Sequence, residues 1–102
     1  MDGVISELFV KNLDFDVTER ELADEIALVL RNAQPTDYAG ECRCSIVKIP
    51  RDYESGGSRG FAFVTVDTGL LDADQAATAL FGHELQGRGM HVEKLRPRKE
   101  DR

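Results

Sequence analysis

RGFAFVTV, residues 59–66, is the stretch on which the fold turns. Ala62, Val64 and Val66 occupy every second position, and Phe61, Phe63 and Thr65 lie between them. Successive side chains of a strand point to opposite faces. This alternation therefore predicts a strand over 60–66, with small aliphatic side chains on one face and two phenyl rings on the other. Just upstream, RDYESGGS (51–58) is a turn in which Gly56 and Gly57 supply the freedom a hairpin needs. Before it, CRCSIVKIP (42–50) is a β-branched strand that stops at Pro50.

The remaining elements follow from periodicity and punctuation. In ELFVKNL (7–13), Leu8 and Val10 alternate with Phe9 and Lys11, which predicts a strand. Thr18 is a suitable N-cap for a helix, Glu21 would complete a capping box, and Val17 with Leu22 form a candidate hydrophobic staple. Leu22, Ile26, Val29, Leu30 and Ala33 form one helical stripe, and the helix should end before Pro35. QPTDYAGE (34–41) is a loop. Ala73, Ala76, Ala77 and Leu80 mark a second helix with Gly82 as its stop. In GMHVEKL (89–95), Met90 and Val92 point inward and His91 and Glu93 outward. The order β-α-β-β-α-β predicts an α+β, ferredoxin-like fold: a four-stranded antiparallel sheet with both helices on one face.

That topology leaves the second sheet face uncovered. With Val10, Ala62, Val64 and Val66 against the helices, period-two alternation places Phe9, Phe61 and Phe63 on the open face. Exposed rings in a row are a liability unless something covers them. They match the flat faces of unpaired bases, each stack contributing about 1–3 kcal/mol. Arg59 and Lys11 flank the rings and could meet phosphates.

With these strands placed, the chain resembles the RNA recognition motif family. LFVKNL (8–13) is similar to that family's RNP2 hexamer and RGFAFVTV (59–66) to its RNP1 octamer. Arg59, Gly60, Phe61, Ala62, Phe63 and Val64 fit the octamer, while Val66 stands where the pattern has a final aromatic, at a core-facing position. The resemblance covers residues 6–96 and implies single-stranded RNA binding with a role in RNA processing or regulation. It implies that Phe9 and Phe63 each stack a base, that Phe61 stacks a base or packs on sugars, and that Arg59 contacts a phosphate. It also nominates Lys48, His91 and the basic residues Arg96, Arg98 and Lys99. Single-stranded DNA would bind more weakly. Two departures stand out: Glu93 puts an acid on the RNA face, and the connection after the first helix is long for the family.

Composition agrees once charge is located. The net charge of −6 lies in residues 1–25, where eight acids face Lys11 and Arg20; the other 77 residues carry eleven charges of each sign. KLRPRKEDR (94–102) holds five bases against two acids, and residues 97–102 are expected to form a disordered basic tail. What attracts phosphate is the local field at the binding face, not the total.

With no apolar run of membrane-spanning length and no signal-peptide pattern, neither a membrane span nor a cleaved secretory signal is expected; the chain is expected to be intracellular, in nucleus or cytoplasm, and a monomer. Cys42 and Cys44 lie on one face of a strand and are expected to be reduced thiols rather than a bridge. Together with His83 and His91 they match no zinc-ligand spacing, and neither metal nor cofactor is expected. No catalytic constellation is visible, so the chain is not expected to be an enzyme. The alternative is a protein-interaction module of the same fold, with Leu28 anchoring a basic partner beside the acids Glu21, Asp24 and Glu25 of the first helix.

Overall fold

A computed structural model of the chain describes residues 5–35, 38, 40–52, 54, 56, 57 and 59–95. The elements are β1 (Ile5–Lys11), α1 (Glu19–Asn32), β2 (Cys44–Lys48), β3 (Ala62–Asp67), α2 (Ala73–Leu80), β4 (Glu84–Leu85), β5 (Arg88–Gly89) and β6 (His91–Lys94). Four strands form a sheet in the order β2-β3-β1-β6, and every neighbouring pair is antiparallel. The architecture is the ferredoxin-like one. It contains one element that the sequence pattern did not anticipate, a small β4–β5 hairpin before the last strand.

The register explains the core. Leu8 lies opposite Val64, and Val10 opposite both Ala62 and Val92, so the aliphatic positions of three strands form one patch. Leu22, Ile26 and Leu30 of α1 and Ala76 and Leu80 of α2 close over it; all five are fully buried. Met90, just before β6, is buried with them. Removing this apolar surface from water supplies most of the stabilisation. The same pleat leaves the alternate residues of the strands on the face away from the helices.

Local punctuation decides where elements begin and end. Thr18 Oγ1 accepts from the Glu21 backbone N–H at 3.1 Å, and Val17 and Leu22, the expected staple pair, are both buried in the core. Glu21 does not close the expected box: its carboxylate accepts from the Gln86 side chain at 2.7 Å. The reciprocal box is on α2, where Asp72 caps the Gln75 N–H at 2.8 Å and Gln75 Oε1 accepts from the Asp72 N–H at 2.9 Å. Ala33, assigned to the buried stripe, is the exposed C-cap of α1, because the helix ends one residue earlier. The first strand stops at Lys11 rather than residue 13, since Asn12 turns the chain at φ 65° and donates to the Gly89 carbonyl at 2.8 Å.

The second strand is shorter than its β-branched run. A register shift between Cys44 and Ile46 disrupts the ladder, and Cys42 is buried outside the strand. Both cysteines are unbridged. Burial pushes the Cys44 thiol up to about 12. It raises Cys42 as well, helped by the negative charge of Asp67 and opposed by a hydrogen bond from Gln34. Among the described residues no helix is long and apolar enough to cross a membrane. Nor, among them, do three His, Cys, Asp or Glu side chains come together as metal ligands would.

Candidate nucleic-acid interface

On the open face the three phenyl rings meet. Phe9 and Phe63 are direct cross-strand partners, their ring centroids 5.0 Å apart and their planes 21° from parallel. Phe61 stands edge-on to both, at 5.6 Å from Phe9 and 5.9 Å from Phe63. Offset and edge-to-face contacts suit the quadrupole of aromatic rings, so the cluster is self-supporting without ligand. Phe63 is the most open, at 38% exposure; Phe9 and Phe61 are half-buried.

Gly60 sets the approach to this cluster. Its φ is +85°, and a β-carbon there would sit 3.3 Å from the Phe15 ring and 3.4 Å from the Leu13 carbonyl oxygen. Only glycine accepts that backbone without strain. Its carbonyl receives the Leu13 N–H at 2.9 Å, which ties the start of the RNP1-like stretch to the end of the RNP2-like one.

The cations predicted to accompany the rings are beside them. Arg59 lies over Phe61, 5.6 Å from the centroid, and Lys11 over Phe9 at 5.8 Å. Lys48 is exposed and opposite Phe63, and Glu93 is opposite Phe9, so Lys48, Phe63, Phe9 and Glu93 form one row across four strands. Lys11 also pairs with Glu93 at 2.9 Å, both side chains well exposed. Such an exposed pair contributes only about 0–1 kcal/mol, so a phosphate can compete for the ammonium. His91 is exposed opposite Lys11. Arg96, Arg98 and Lys99, and the rest of the predicted tail, lie outside the described residues.

Two features escaped the sequence reading. Beside Phe63 the face dips into a trough of about 370 Å³ lined by Glu7, Ile46, Lys48, Thr65 and Leu95. The position of Ile46 two residues before Lys48 was the available signal for it. The second is Phe81, 57% exposed at the end of α2, whose ring stacks on His91. No periodicity marks a residue beyond a helix end.

The first helix offers less than its sequence suggested. Leu28 is 53% exposed and lines a groove of about 320 Å³ with Asp24, Arg31, Arg43 and Cys44. The neighbouring acids are not a bare solvated cluster. Glu21 accepts from Gln86, and Glu25 pairs with His83 at 2.6 Å.

No protein-family model matches the chain. It is 38% identical over 95 residues to a protein of Nostoc sp. (strain PCC 7120) provisionally named RNA-binding protein RbpD, the match spanning 93% of this chain and 87% of that one. Among solved structures, it superposes on RNA Binding Protein PG1 with a TM-score of 0.60 at 30% identity, covering 93% of this chain and 99% of that one. It superposes on the Sxl-Lethal protein in an RNA complex with a TM-score of 0.62 at 30% identity, covering 95% of this chain and 50% of the other.

Proposed function

Because this chain belongs to the RNA recognition motif family, we propose that it binds single-stranded RNA by stacking bases on the open sheet face, in RNA processing or regulation. The observation that carries the proposal is the convergence of Phe9 and Phe63 on adjacent strands with Phe61, just before the second of them, and cations at their rim. Phe9 and Phe63 each take a base, and Phe61 takes a third or packs on sugars. Arg59 meets a phosphate. Lys11 and Lys48 contribute charge, His91 a further contact, and Arg96, Arg98 and Lys99 extend the path beyond the sheet.

The proposed unit is residues 6–96, acting as a monomer by binding alone, without cofactor or catalytic step. Its unbridged cysteines suit a reducing, intracellular compartment. Single-stranded DNA, lacking the 2′-hydroxyl, would bind more weakly. A protein-docking role for Glu21, Asp24, Glu25 and Leu28 is the weaker reading. Two of the acids are engaged within the fold, and Arg31 and Arg43 line the groove that a basic partner would have to enter. Titration of a pool of short single-stranded RNAs at low salt is the direct test. Saturable binding is expected, and its absence into the hundred-micromolar range of salt-sensitive nonspecific affinities, about 10⁻⁴ M, would overturn the proposal.

The pairing of Lys11 with Glu93 gives a more discriminating result. Glu93→Gln frees the ammonium and removes an acid from the face, and should tighten RNA binding about two- to fivefold. It should also steepen the salt dependence by about 0.7 in log–log slope, one further phosphate's worth on a single strand. Fluorescence anisotropy across a salt series measures both. An unchanged slope would show that Lys11 meets no phosphate.

A further inference from the structure

The aromatic surface does not stop at the three sheet rings. The Gly82 N–H donates to the Met90 carbonyl at 2.7 Å, and the Met90 N–H donates to the His83 carbonyl at 2.9 Å. These bonds pin the chain just after α2 to the residue before β6. Phe81 and His91 are the outer neighbours of the pinned residues, and their rings stack with centroids 5.1 Å apart and planes 25° from parallel. His91 belongs to the open face through its pairing with Lys11. Phe81 springs from the helix layer behind the sheet. The pair thus carries aromatic surface around the outer edge of β6.

Phe81 is 57% exposed although its ring is held in place. It lines a groove of about 420 Å³ along the β6 edge with Thr78, Asp74, Glu93 and Lys94. Lys94 and Asp74 pair across this groove at 3.2 Å. The Thr78 hydroxyl, the Lys94 ammonium and the Asp74 carboxylate thus share the groove with the Phe81 ring, while the Glu93 carboxylate is taken by Lys11. Because Asp74 neutralises Lys94, the groove is a poor phosphate site. Its donors and acceptor suit a base, whose edge offers both.

We propose that Phe81, backed by His91, is a separate stacking site for one further nucleobase of the bound strand, at the edge of the sheet beyond β6. The proposal rests on the single-stranded RNA reading and adds a position to its track. On β6 the residue in line with Phe63 and Phe9 is Glu93, and His91 lies two residues along, opposite Lys11, so a strand leaving the three rings would cross diagonally past Lys11 to reach His91 and Phe81. A short oligonucleotide can fill the three-ring cluster without reaching Phe81; a longer one can reach both.

The experiment compares a uridine trimer and a uridine octamer on the full chain, with wild type, Phe81→Ala and Phe81→Leu. Leucine keeps apolar bulk against His91 but offers no ring face, which separates stacking from packing. Both variants should weaken octamer binding about five- to tenfold, the effect of losing one modest stack, and leave trimer binding unchanged. A 5-iodouridine in the octamer should also photocrosslink to the peptide carrying Phe81. Unchanged octamer affinity would overturn the proposal, as would equal weakening of trimer and octamer, which would mean that Phe81 acts through the sheet. Wild type that binds neither oligonucleotide would remove the RNA reading itself, and this site with it.

Discussion

Replacing Phe9 and Phe63 together by alanine is expected to weaken RNA binding by about 2–6 kcal/mol, two stacks at roughly 1–3 kcal/mol each. Phe61→Ala or Phe63→Ala alone should cost about 1–3 kcal/mol. The double variant is the sharper test, because the two rings stack on each other at 5.0 Å and a single replacement leaves the other ring free to spread into the gap. Residues in contact are not additive, so the double loss need not equal the sum of the singles. The fold should survive. Both rings lie on the face away from the core, and losing one cross-strand aromatic pair costs about 0.5–1.5 kcal/mol beyond the modest area the rings bury. Anisotropy titration beside a circular-dichroism melt separates the two effects. Near-wild-type affinity in a folded double variant would remove base stacking as the mechanism.

The second large effect is on stability. Leu30→Ala should destabilise the domain by about 2–5 kcal/mol, since Leu30 is fully buried under the sheet and its removal leaves a cavity. For a domain of this size that corresponds to a fall in Tm of about 10–20 °C. Leu28, two residues earlier on the same helix, is 53% exposed, and its alanine variant should change stability by no more than about 0.5 kcal/mol. The contrast controls for helix propensity, because both substitutions are Leu to Ala in α1. RNA affinity of the folded fraction should be unchanged in both variants, the helices lying behind the sheet. Urea denaturation measures the first quantity and titration the second. Equal stability losses would mean that α1 does not present its face to the sheet as described.

Period two in residues 60–66 and 8–11, and the helical stripe from Leu22 to Leu30, were enough to assign the order of the main elements and the side of the sheet on which each residue lies. The three phenylalanines follow directly, because a strand's alternation commits each side chain to a face before any partner is known. Thr18 at the start of α1 was likewise visible, since a cap needs only residues within one turn. Asp72 and Gln75 had the same three-residue spacing, and their box could have been found by the same rule. The Gln86-Gly87 turn of the small hairpin, with φ of 54° and 81°, was the overlooked local signal for β4 and β5.

What the sequence could not reveal are partners set by register and by docking of one layer on another. Lys11 meets Glu93 because β6 pairs with β1 at one register; a shift by a single residue would turn Glu93 to the core side. Glu21 could have closed its own cap and instead accepts from Gln86, because the β4–β5 hairpin brings that amide, 65 residues away, against α1. The bulge at Cys44 to Ile46 and the stacking of Phe81 on His91 are of the same kind. Each depends on atoms distant along the chain arriving at a few ångströms' separation. The sequence by itself determined which face of each strand and helix turns to the core, for that is written in spacings of two to four residues, but not where an element stops, as Ala33 beyond the end of α1 shows. Only the tertiary structure decided which of the exposed charges and rings meet, since those distances exist only once the sheet has its register and the helices are packed behind it.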